Sequence, residues 1–292
     1  MNLMQKAKLL VADSGTRSRY ITWKLSKLFT GQAPFISIPG GGRLYPADRF
    51  NDFVAIAAQH PTEAERRLMH DLLTAQGGVF VDVGANVGAM SLIAHSTGRA
   101  SSILAFEPSD RYCDAWYRNM EVNGVNNAKL FQAAVGDRDG SVNFRVDPGM
   151  PLNGKIDRGQ VHSSAIVRKV PMVTLDTVIG QRPDPIAVLK IDVEGAEPLV
   201  LRGASRTLAN GGVRTILFEF IVEFIEDMGE NPYQYIRTIL DLGFKLYRIE
   251  ADGSQTEIFD DVSKIVDSRR VTPEAKPRPF QEINLVAKHC RQ

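Results

Sequence analysis

The feature that most constrains the fold is a series of short, nearly continuous apolar runs separated by stretches of helical periodicity. The runs are VFVDVG (79–84), SILAFEP (102–108), AKLFQAAV (128–135), IAVLKIDV (186–193) and TILFEF (215–220). Helices are predicted between them at 86–97, 110–122, 196–209 and 232–242. Because strands of a parallel sheet are buried on both faces and joined by helical crossovers, this alternation predicts a doubly wound, mostly parallel α/β sheet.

The segments around this core carry weaker patterns. Residues 18–29 place apolar side chains at helical spacing among basic ones, which predicts an amphipathic helix. Two interpretations stay open for it, packing on the domain and contact with an anionic membrane surface or partner. The turn residues of 39–43 predict a hairpin, and 141–176 predicts extra strands with a loop that could cover a site. Antiparallel closing strands are predicted at 245–250 and 282–288.

Composition excludes several classes of protein. The apolar share of 43% and the charged share of 24% are ordinary for globular proteins. The net charge of +1 argues against a general nucleic-acid binder, and no apolar run is long enough for a transmembrane helix. The N-terminus lacks the apolar core of a secretory signal, and the distant Cys113 and Cys290 suit a reducing compartment. We therefore expect a cytoplasmic protein.

The near-neutral total hides an uneven distribution of charge. Residues 1–30 carry six basic residues against a single acid, Asp13: Lys6, Lys8, Arg17, Arg19, Lys24 and Lys27. Residues 268–292 are also predominantly basic. The acids must therefore concentrate in the middle of the chain, between two basic ends.

The most informative motif is Val81-Asp-Val-Gly-Ala-Asn-Val-Gly88, which follows a predicted strand and opens a predicted helix. Gly84 and Gly88 allow a tight turn and close approach of the backbone to a ligand, and the helix start offers unpaired N–H groups. The motif departs from the dinucleotide pattern, because Asn86 stands where a middle glycine would let the chain approach a pyrophosphate. A tight turn without a ligand is the structural alternative.

A second element is Glu107, which ends the next predicted strand 25 residues after Asp82. An acid at this position fits a hydrogen-bonding role toward a ribose diol in a doubly wound fold. Together with the glycine turn, it favours an adenosine-type cofactor without a diphosphate. The alternative is an acid that caps the helix beginning near Asp110.

A third element is the string Lys190-Ile-Asp-Val-Glu-Gly-Ala-Glu197. Lys190, Asp192 and Glu194 alternate along a strand end, which predicts that they share one face. Charges inside a doubly buried strand are unfavourable unless they are paired or functional, and open α/β sheets bind ligands at this end. We expect a functional cluster, with a structural ion pair as the alternative for Lys190. Glu219 ends its own predicted strand in the same way.

These motifs together resemble a known family. VFVDVGANVG, ILAFEP, FQAAVGD, VTLDTVI, IAVLKIDVEGAEPLVLRGA and ILFEF, in this order, resemble FkbM-type S-adenosylmethionine-dependent methyltransferases over roughly residues 62–250. The resemblance implies a Rossmann-like class I methyltransferase fold and O-methylation of a hydroxyl on a sugar, glycan or secondary metabolite. We accordingly divide the chain into an N-terminal basic extension with helix and hairpin (1–60), a cofactor-binding catalytic domain (61–250) and a C-terminal basic tail with a closing strand (251–292).

The resemblance also implies roles for individual residues. It assigns the methionine part of S-adenosylmethionine to four residues of the first motif: Asp82, Gly84, Asn86 and Gly88. It assigns the ribose to Glu107 and the border of the adenine to three residues: Ser109, Ala133 and Ala134. It brings Asp192 and Glu194 near the transferred methyl group.

A general base is expected, because a sugar hydroxyl is a weak nucleophile near neutral pH and such a base contributes typically ~100–10,000-fold. The candidates are Asp192, which we favour, and Glu194, His162 and Glu219. Carboxylates beside a sulfonium could instead only stabilise its charge, and both roles stay open. No metal is expected, since the five histidines lack HxxxH or HxH spacing; a magnesium ion on Asp192 and another acid is the alternative.

Three other functions fit these residues less well. Asn86 and the charged cluster at 190–197 count against an NAD-dependent oxidoreductase, and the intact acids count against a scaffold that has lost catalysis. Nucleic-acid methylation is disfavoured, because no (N/D)PP(Y/F) string follows a strand. The expected partner is a small-molecule or glycan acceptor rather than a nucleic acid, and a homo-oligomer stays open.

Overall fold

A computed structural model describes the chain at residues 35–38, 42–45, 63–146, 154–159, 165–180, 185–209, 211–259, 261–270 and 284–290, and at Ile21, Leu25, Leu28 and Phe29. The candidate base His162 lies outside the described residues.

The secondary structure alternates between strands and helices along most of the described chain. The strands are β1 (Ile36–Ile38), β2 (Gly42–Leu44), β3 (Gly78–Val83), β4 (Ala100–Phe106), β5 (Ala128–Phe131), β6 (Ala134–Val135), β7 (Gly140–Val146), β8 (Gly154–Ile156), β9 (Ile166–Val173), β10 (Ile186–Ile191), β11 (Val213–Glu219), β12 (Phe244–Ile249), β13 (Gln255–Glu257) and β14 (Asn284–His289). The helices are α1 (Glu63–Gln76), α2 (Ala89–Ser96), α3 (Asp110–Val122), α4 (Leu175–Ile179), α5 (Glu197–Gly203), α6 (Ser205–Ala209), α7 (Val222–Asp227), α8 (Pro232–Asp241) and α9 (Val262–Asp267).

An eight-stranded sheet forms the centre of the fold, in the order β13-β12-β14-β11-β10-β3-β4-β5. Strands β5, β4, β3, β10 and β11 are parallel, whereas β14 lies antiparallel between β11 and β12. From β3 the chain proceeds outward through β4 and β5 on one side, and from β10 it proceeds to β11 on the other. The strand order therefore reverses between β3 and β10. The prediction of a doubly wound, mostly parallel sheet with antiparallel closing strands is confirmed, and the reversal predicts a ligand crevice at the carboxyl ends of β3 and β10.

Both faces of the sheet are buried, as the continuous apolar runs require. Val79, Val81 and Val83 of β3 point into one core cluster, which α7 and α8 help to cover. Phe80, between them in sequence, points into the opposite cluster, where Leu73 of α1 packs. Burying a side chain of this size contributes about 1.5–3 kcal/mol, so apolar side chains on both faces of each central strand stabilise the layered fold.

The prediction of one strand over 128–135 is wrong. Strand β5 ends at Phe131, the chain bends where the Ala133 N–H donates to the Phe131 carbonyl (2.9 Å), and β6 then joins a second sheet. This sheet has four strands in the order β6-β9-β7-β8, which confirms the extra strands predicted in 141–176. Its Phe144 and Met172 pack against Leu199 of α5, so the second sheet lies against the segment that follows β10.

The prediction of one helix over 196–209 is also wrong. It divides at Ala204 into α5 and α6. At the end of α5, a Cβ on Gly203 would lie 1.9 Å from the Gly136 carbonyl oxygen, so the helix approaches the strand end of β6 as closely as glycine permits. This close packing joins the second sheet to the main one.

The N-terminal hairpin is confirmed, because β1 and β2 pair antiparallel. Asn119 of α3 binds Tyr45, the residue that follows the hairpin. Its Oδ1 accepts from the Tyr45 N–H (2.6 Å), and its Nδ2 donates to the Val87 carbonyl (2.7 Å). A single buried amide thus connects the hairpin segment to the turn after β3.

The predicted helix at 18–29 is helical at the four positions that the structure describes, Ile21, Leu25, Leu28 and Phe29. All four side chains are exposed, so packing on the domain is not seen at these positions, and Tyr20 and Trp23 of the same predicted helix lie outside the described residues. Among the described helices, none combines the length and the apolar character that spanning a membrane requires.

The three-part domain division stays a prediction. Strand β14 of the C-terminal segment lies inside the main sheet, between β11 and β12. The closing strand is therefore part of the same hydrogen-bonded sheet as the central strands.

Candidate active site

The carboxyl ends of the central strands bring four predicted site acids to one edge of the sheet. Asp82 lies in β3, Glu107 directly follows β4, Asp192 directly follows β10, and Glu219 ends β11. Because these strands are parallel neighbours, acids separated by up to 137 residues along the chain (219 − 82) share this edge.

Lys190 is the centre of this edge. It is 7% exposed, and its Nζ lies 3.4 Å from Asp82 Oδ1 and 3.3 Å from Asp192 Oδ2. The same Nζ donates to the Gly84 carbonyl oxygen at 2.8 Å. Burial alone would lower the pKa of Lys190, but the adjacent Asp192 and Asp82 carboxylates raise it above its ordinary value. The predicted ion pair is therefore present, and it links the turn after β3 to the loop after β10.

A hydrogen-bonded chain extends from Lys190 into the helices. Asp82 Oδ2 accepts from Ser91 Oγ of α2 (2.6 Å), and Ser91 Oγ accepts from Trp116 Nε1 of α3 (3.3 Å). Asp82, Ser91 and Trp116 are all buried, so their polar atoms depend on one another for partners. The consequence is that Asp82 is held from two sides, by an ammonium group and by a hydroxyl.

The glycine turn brings the two loops into contact. Gly84 has φ +78°, and a Cβ there would lie 1.8 Å from the Asp192 carbonyl oxygen. The Asp192 N–H donates to the Val83 carbonyl (3.1 Å), which joins the same two segments. Gly88, also left-handed, faces Trp116, whose Cδ1 would lie 2.7 Å from an added Cβ. Only glycine therefore fits at either position without displacing its neighbour.

Glu107 faces the same turn from the neighbouring strand. Its Oε2 accepts from the Asn86 N–H (3.0 Å) and its Oε1 accepts from the Ser109 N–H (2.9 Å). Burial raises the pKa of Glu107 to about 7, although these two backbone donors and Lys190 act in the opposite direction. Asn86 itself is left-handed, with φ +51°, a conformation that asparagine tolerates better than most residues. Each carboxylate oxygen keeps acceptor capacity beyond its one backbone donor.

Several acids accumulate around the loop after β10. Burial, followed by the carboxylates of Asp192 and Glu197, raises the pKa of Glu194 to about 8. Burial also raises the pKa of Glu197 to about 7, while the Val193 N–H donates to its Oε1 at 3.0 Å. The pKa of Glu219 is raised well above its ordinary value by burial and then by Asp192, Glu194 and Glu197. Nearby positive charge is therefore not sufficient to return the pKa values of Glu194, Glu197 and Glu219 to their ordinary range.

Two ammonium groups offset part of this negative charge. Lys190 and Lys155, the latter on β8 of the second sheet, both lower the pKa of Glu194. The Lys155 Nζ also lies 5.1 Å from the centroid of the Phe224 ring. The balance still leaves Glu194 and Glu219 with raised pKa values, so a bound cation would be favoured here.

The prediction of a common strand face holds only for part of the KIDVEGAE string. Strand β10 ends at Ile191, and Glu194 adopts φ +57°, so the strand alternation does not reach it. Lys190 and Asp192 do meet, as the ion pair shows. The next residue, Gly195, explains the bend: an added Cβ would lie 2.2 Å from the Phe224 carbonyl oxygen, so the loop turns tightly against α7.

The residues predicted to border an adenine lie beyond Glu107. Ser109 precedes α3 as its N-cap residue, and Ala133 and Ala134 are buried at the bend between β5 and β6. Asp110 and Gln132 form a hydrogen bond that joins these two segments. The predicted border residues are thus part of adjacent elements at the edge of the site.

Comparison with known proteins adds a decisive observation to this geometry. Residues 82–246 match the family described as the methyltransferase FkbM domain, which is more than half of the chain. The chain belongs to the FkbM methyltransferase family.

Individual relatives and solved structures are similar to this chain to different extents. The chain is 33% identical over 141 residues to "Methyltransferase 1" of Beauveria bassiana, covering 42% of this chain and 57% of that relative's length. It is 27% identical over 193 residues to "2-O-methyltransferase NoeI" of Sinorhizobium fredii, covering 60% of this chain and 75% of that protein. A solved FkbM methyltransferase from Methylobacillus flagellatus has a TM-score of 0.38 at 15% identity, covering 73% of this chain and 44% of its own.

Two residues that support this site, Ser91 and Trp116, were not predicted from the sequence. Ser91 and Trp116, which complete the support of Asp82, stand in stretches that sequence alone indicates only as helices. A polar residue on the apolar face of α2 was the available signal for Ser91, since its neighbours Leu92, Ile93 and Ala94 are buried. Among the described residues, no group of three or more His, Cys, Asp or Glu side chains is arranged to hold a metal.

Replacement of Gly84 tests the contact between the two loops. We expect Gly84→Ala to lower the free energy of unfolding by more than about 3 kcal/mol, because the new Cβ overlaps the Asp192 carbonyl. Gly98→Ala is the matched control, since Gly98 is also left-handed (φ +64°) but has nothing within 4 Å of an added Cβ. It should lose only about 1–2 kcal/mol. Urea unfolding of both variants measures the difference, and equal losses would contradict the assigned contact.

Proposed function

We propose that this protein transfers the methyl group of S-adenosylmethionine to a hydroxyl of a small-molecule or glycan acceptor. The observation that carries the proposal is the cluster of buried and half-buried carboxylates at the carboxyl ends of the central strands, in a chain of the FkbM methyltransferase family. When bound, this cofactor supplies an activated methyl group on a positively charged sulfonium.

The residues of the site fit that cofactor chemically. Glu107 is 5% exposed and bonded to two backbone N–H groups, with acceptor capacity left for the two hydroxyls of a ribose. The raised pKa values of Glu194 and Glu219 mean that negative charge there is poorly compensated, and a cation would provide the compensation. A diol at one end and a positive charge at the other are features of S-adenosylmethionine.

The same electrostatics disfavour the alternative of a nicotinamide dinucleotide. A pyrophosphate is an anion, and the ammonium group of Lys190 is already engaged by Asp82, Asp192 and the Gly84 carbonyl. Asn86 adds a side chain where the dinucleotide motif has its middle glycine. The chain's own residues therefore support a cationic rather than a diphosphate cofactor.

Asp192 is our candidate for the general base. Its side chain is 43% exposed, so an acceptor hydroxyl can reach it, and Lys190 holds it at 3.3 Å. Glu194 and Glu219 have raised pKa values, which a bound sulfonium would lower, so we assign them to stabilising its charge once they have ionised beside it. In this scheme Asp192 would accept the hydroxyl proton at its carboxylate. The methyl group would pass from the cofactor to the acceptor oxygen, which leaves the neutral thioether S-adenosylhomocysteine.

The name of one relative also supports a hydroxyl acceptor. The protein from Sinorhizobium fredii is called a 2-O-methyltransferase, and it is similar to this chain over 60% of the sequence. From this relative we infer for our chain only the class of reaction, which is methylation of a hydroxyl on a glycan or a secondary metabolite. Cytoplasmic location, the three-part domain division and the role of His162 remain predictions.

Two measurements test the function. Calorimetry should detect binding of S-adenosylmethionine and S-adenosylhomocysteine but not of NAD. Transfer of labelled methyl to a panel of sugars, glycans and hydroxylated metabolites should then label an oxygen of at least one acceptor. Binding of NAD in preference to S-adenosylmethionine would overturn the proposal, and labelling confined to nitrogen or carbon would overturn its O-methylation part.

Replacement of Asp192 tests the base assignment. We expect Asp192→Asn to lower kcat by ~100–10,000-fold, because the amide cannot accept the proton, while cofactor affinity changes only a few-fold. The control is Asp241→Asn, at the exposed end of α8, which should leave both quantities unchanged. A large loss of cofactor affinity with turnover intact would assign Asp192 to binding instead.

A further inference from the structure

We propose that the helix containing Ile21, Leu25, Leu28 and Phe29 binds the surface of an anionic lipid bilayer. These four residues are helical and lie outside the site described above. The proposal concerns where the protein works and does not depend on the methyl-transfer function.

The four side chains form one apolar face. Their spacing of i, i+4, i+7 and i+8, at about 100° per residue, confines them to an arc of about 100° on the helix. Their exposed fractions are 56%, 48%, 76% and 80%, so the protein itself does not cover them. Four adjacent exposed apolar side chains on one face are unusual for a surface in contact only with water, and such a patch indicates a binding surface.

The charge of the surrounding sequence identifies the partner. Residues 1–30 contain six basic residues and one acid, Asp13. An apolar helical face within a basic segment is the pattern of helices that lie in the interface of anionic membranes. A second copy of the chain fits less well as an occupant, because it would bring another strongly basic segment against this one.

The proposed mode of binding is a helix that lies on the membrane surface and does not cross the bilayer. The four described apolar side chains share one face of the helix, and no described helix is long and apolar enough to cross a bilayer. The face would enter the boundary between headgroups and acyl chains, while lysine and arginine side chains contact the anionic headgroups.

Vesicle co-sedimentation of the full chain tests this proposal. We expect binding to vesicles of equimolar phosphatidylcholine and phosphatidylglycerol, weak binding to phosphatidylcholine alone, and loss of binding as salt is raised. The double variant Leu28→Glu, Phe29→Glu should reduce the partition coefficient at least ~10-fold, because it puts two carboxylates in the apolar face. Both residues are exposed, so the fold should be retained, and an unchanged Tm verifies this.

Phe259→Glu is the matched control. Phe259 is also a highly exposed apolar residue, at 85%, but it follows β13 at a distance in sequence from the helix. It should bind vesicles as the wild type does. Absence of binding to the anionic vesicles, equal binding to both lipid compositions, or equal loss in the control would overturn the proposal. A dimer that the double variant dissociates, without vesicle binding, would assign the face to a second copy instead. None of these results depends on the cofactor or the acceptor.

Discussion

The arrangement of the site depends on a buried ammonium group. Lys190 stands in a central strand of a sheet that is buried on both faces, where an unpaired charge would be strongly unfavourable. It is stabilised by carboxylates from two segments, Asp82 and Asp192, and by the carbonyl of Gly84. Removing one partner of such a buried pair typically destabilises a protein by about 3–5 kcal/mol. The ion pair therefore does more than stabilise the fold, because it sets the distance between the turn after β3 and Asp192, the candidate base.

The remaining acids at this edge have raised pKa values mainly because they are withdrawn from water. Burial raises the pKa of Glu107 to about 7, and burial with neighbouring carboxylates raises that of Glu194 to about 8. Lys190 lowers both pKa values only in part. The acidic centre that lies between two basic ends of the sequence thus includes a cluster suited to hold a positive charge. The basic N-terminal end has a separate proposed task, docking on an anionic bilayer.

The sequence predicted the sheet and the four site acids at its edge because both depend on local patterns. A doubly buried parallel strand must be apolar along its length, so a charged residue at its end stands out, as Glu107 and Glu219 do. The predictions that were wrong concern features that depend on contacts between segments distant in sequence. Strand 128–135 divides because β6 pairs with β9, and the loop after β10 bends at Glu194 because Gly195 packs on α7. The exposure of the N-terminal helix likewise depends on what the rest of the fold leaves uncovered.

The central claim is that carboxylates at this edge recognise the positive charge of the cofactor. The most direct measurement is the ratio of the dissociation constants of S-adenosylhomocysteine and S-adenosylmethionine, by calorimetry from about pH 6 to about pH 9. The two ligands differ in the charge on sulfur and the methyl group, so their ratio isolates the sulfonium. As pH rises through the pKa values of Glu107, Glu194 and Glu197, the acids ionise, and the ratio should increase by up to ~10-fold per pH unit for each proton displaced. A ratio that stays constant with pH, or that falls, would contradict the account.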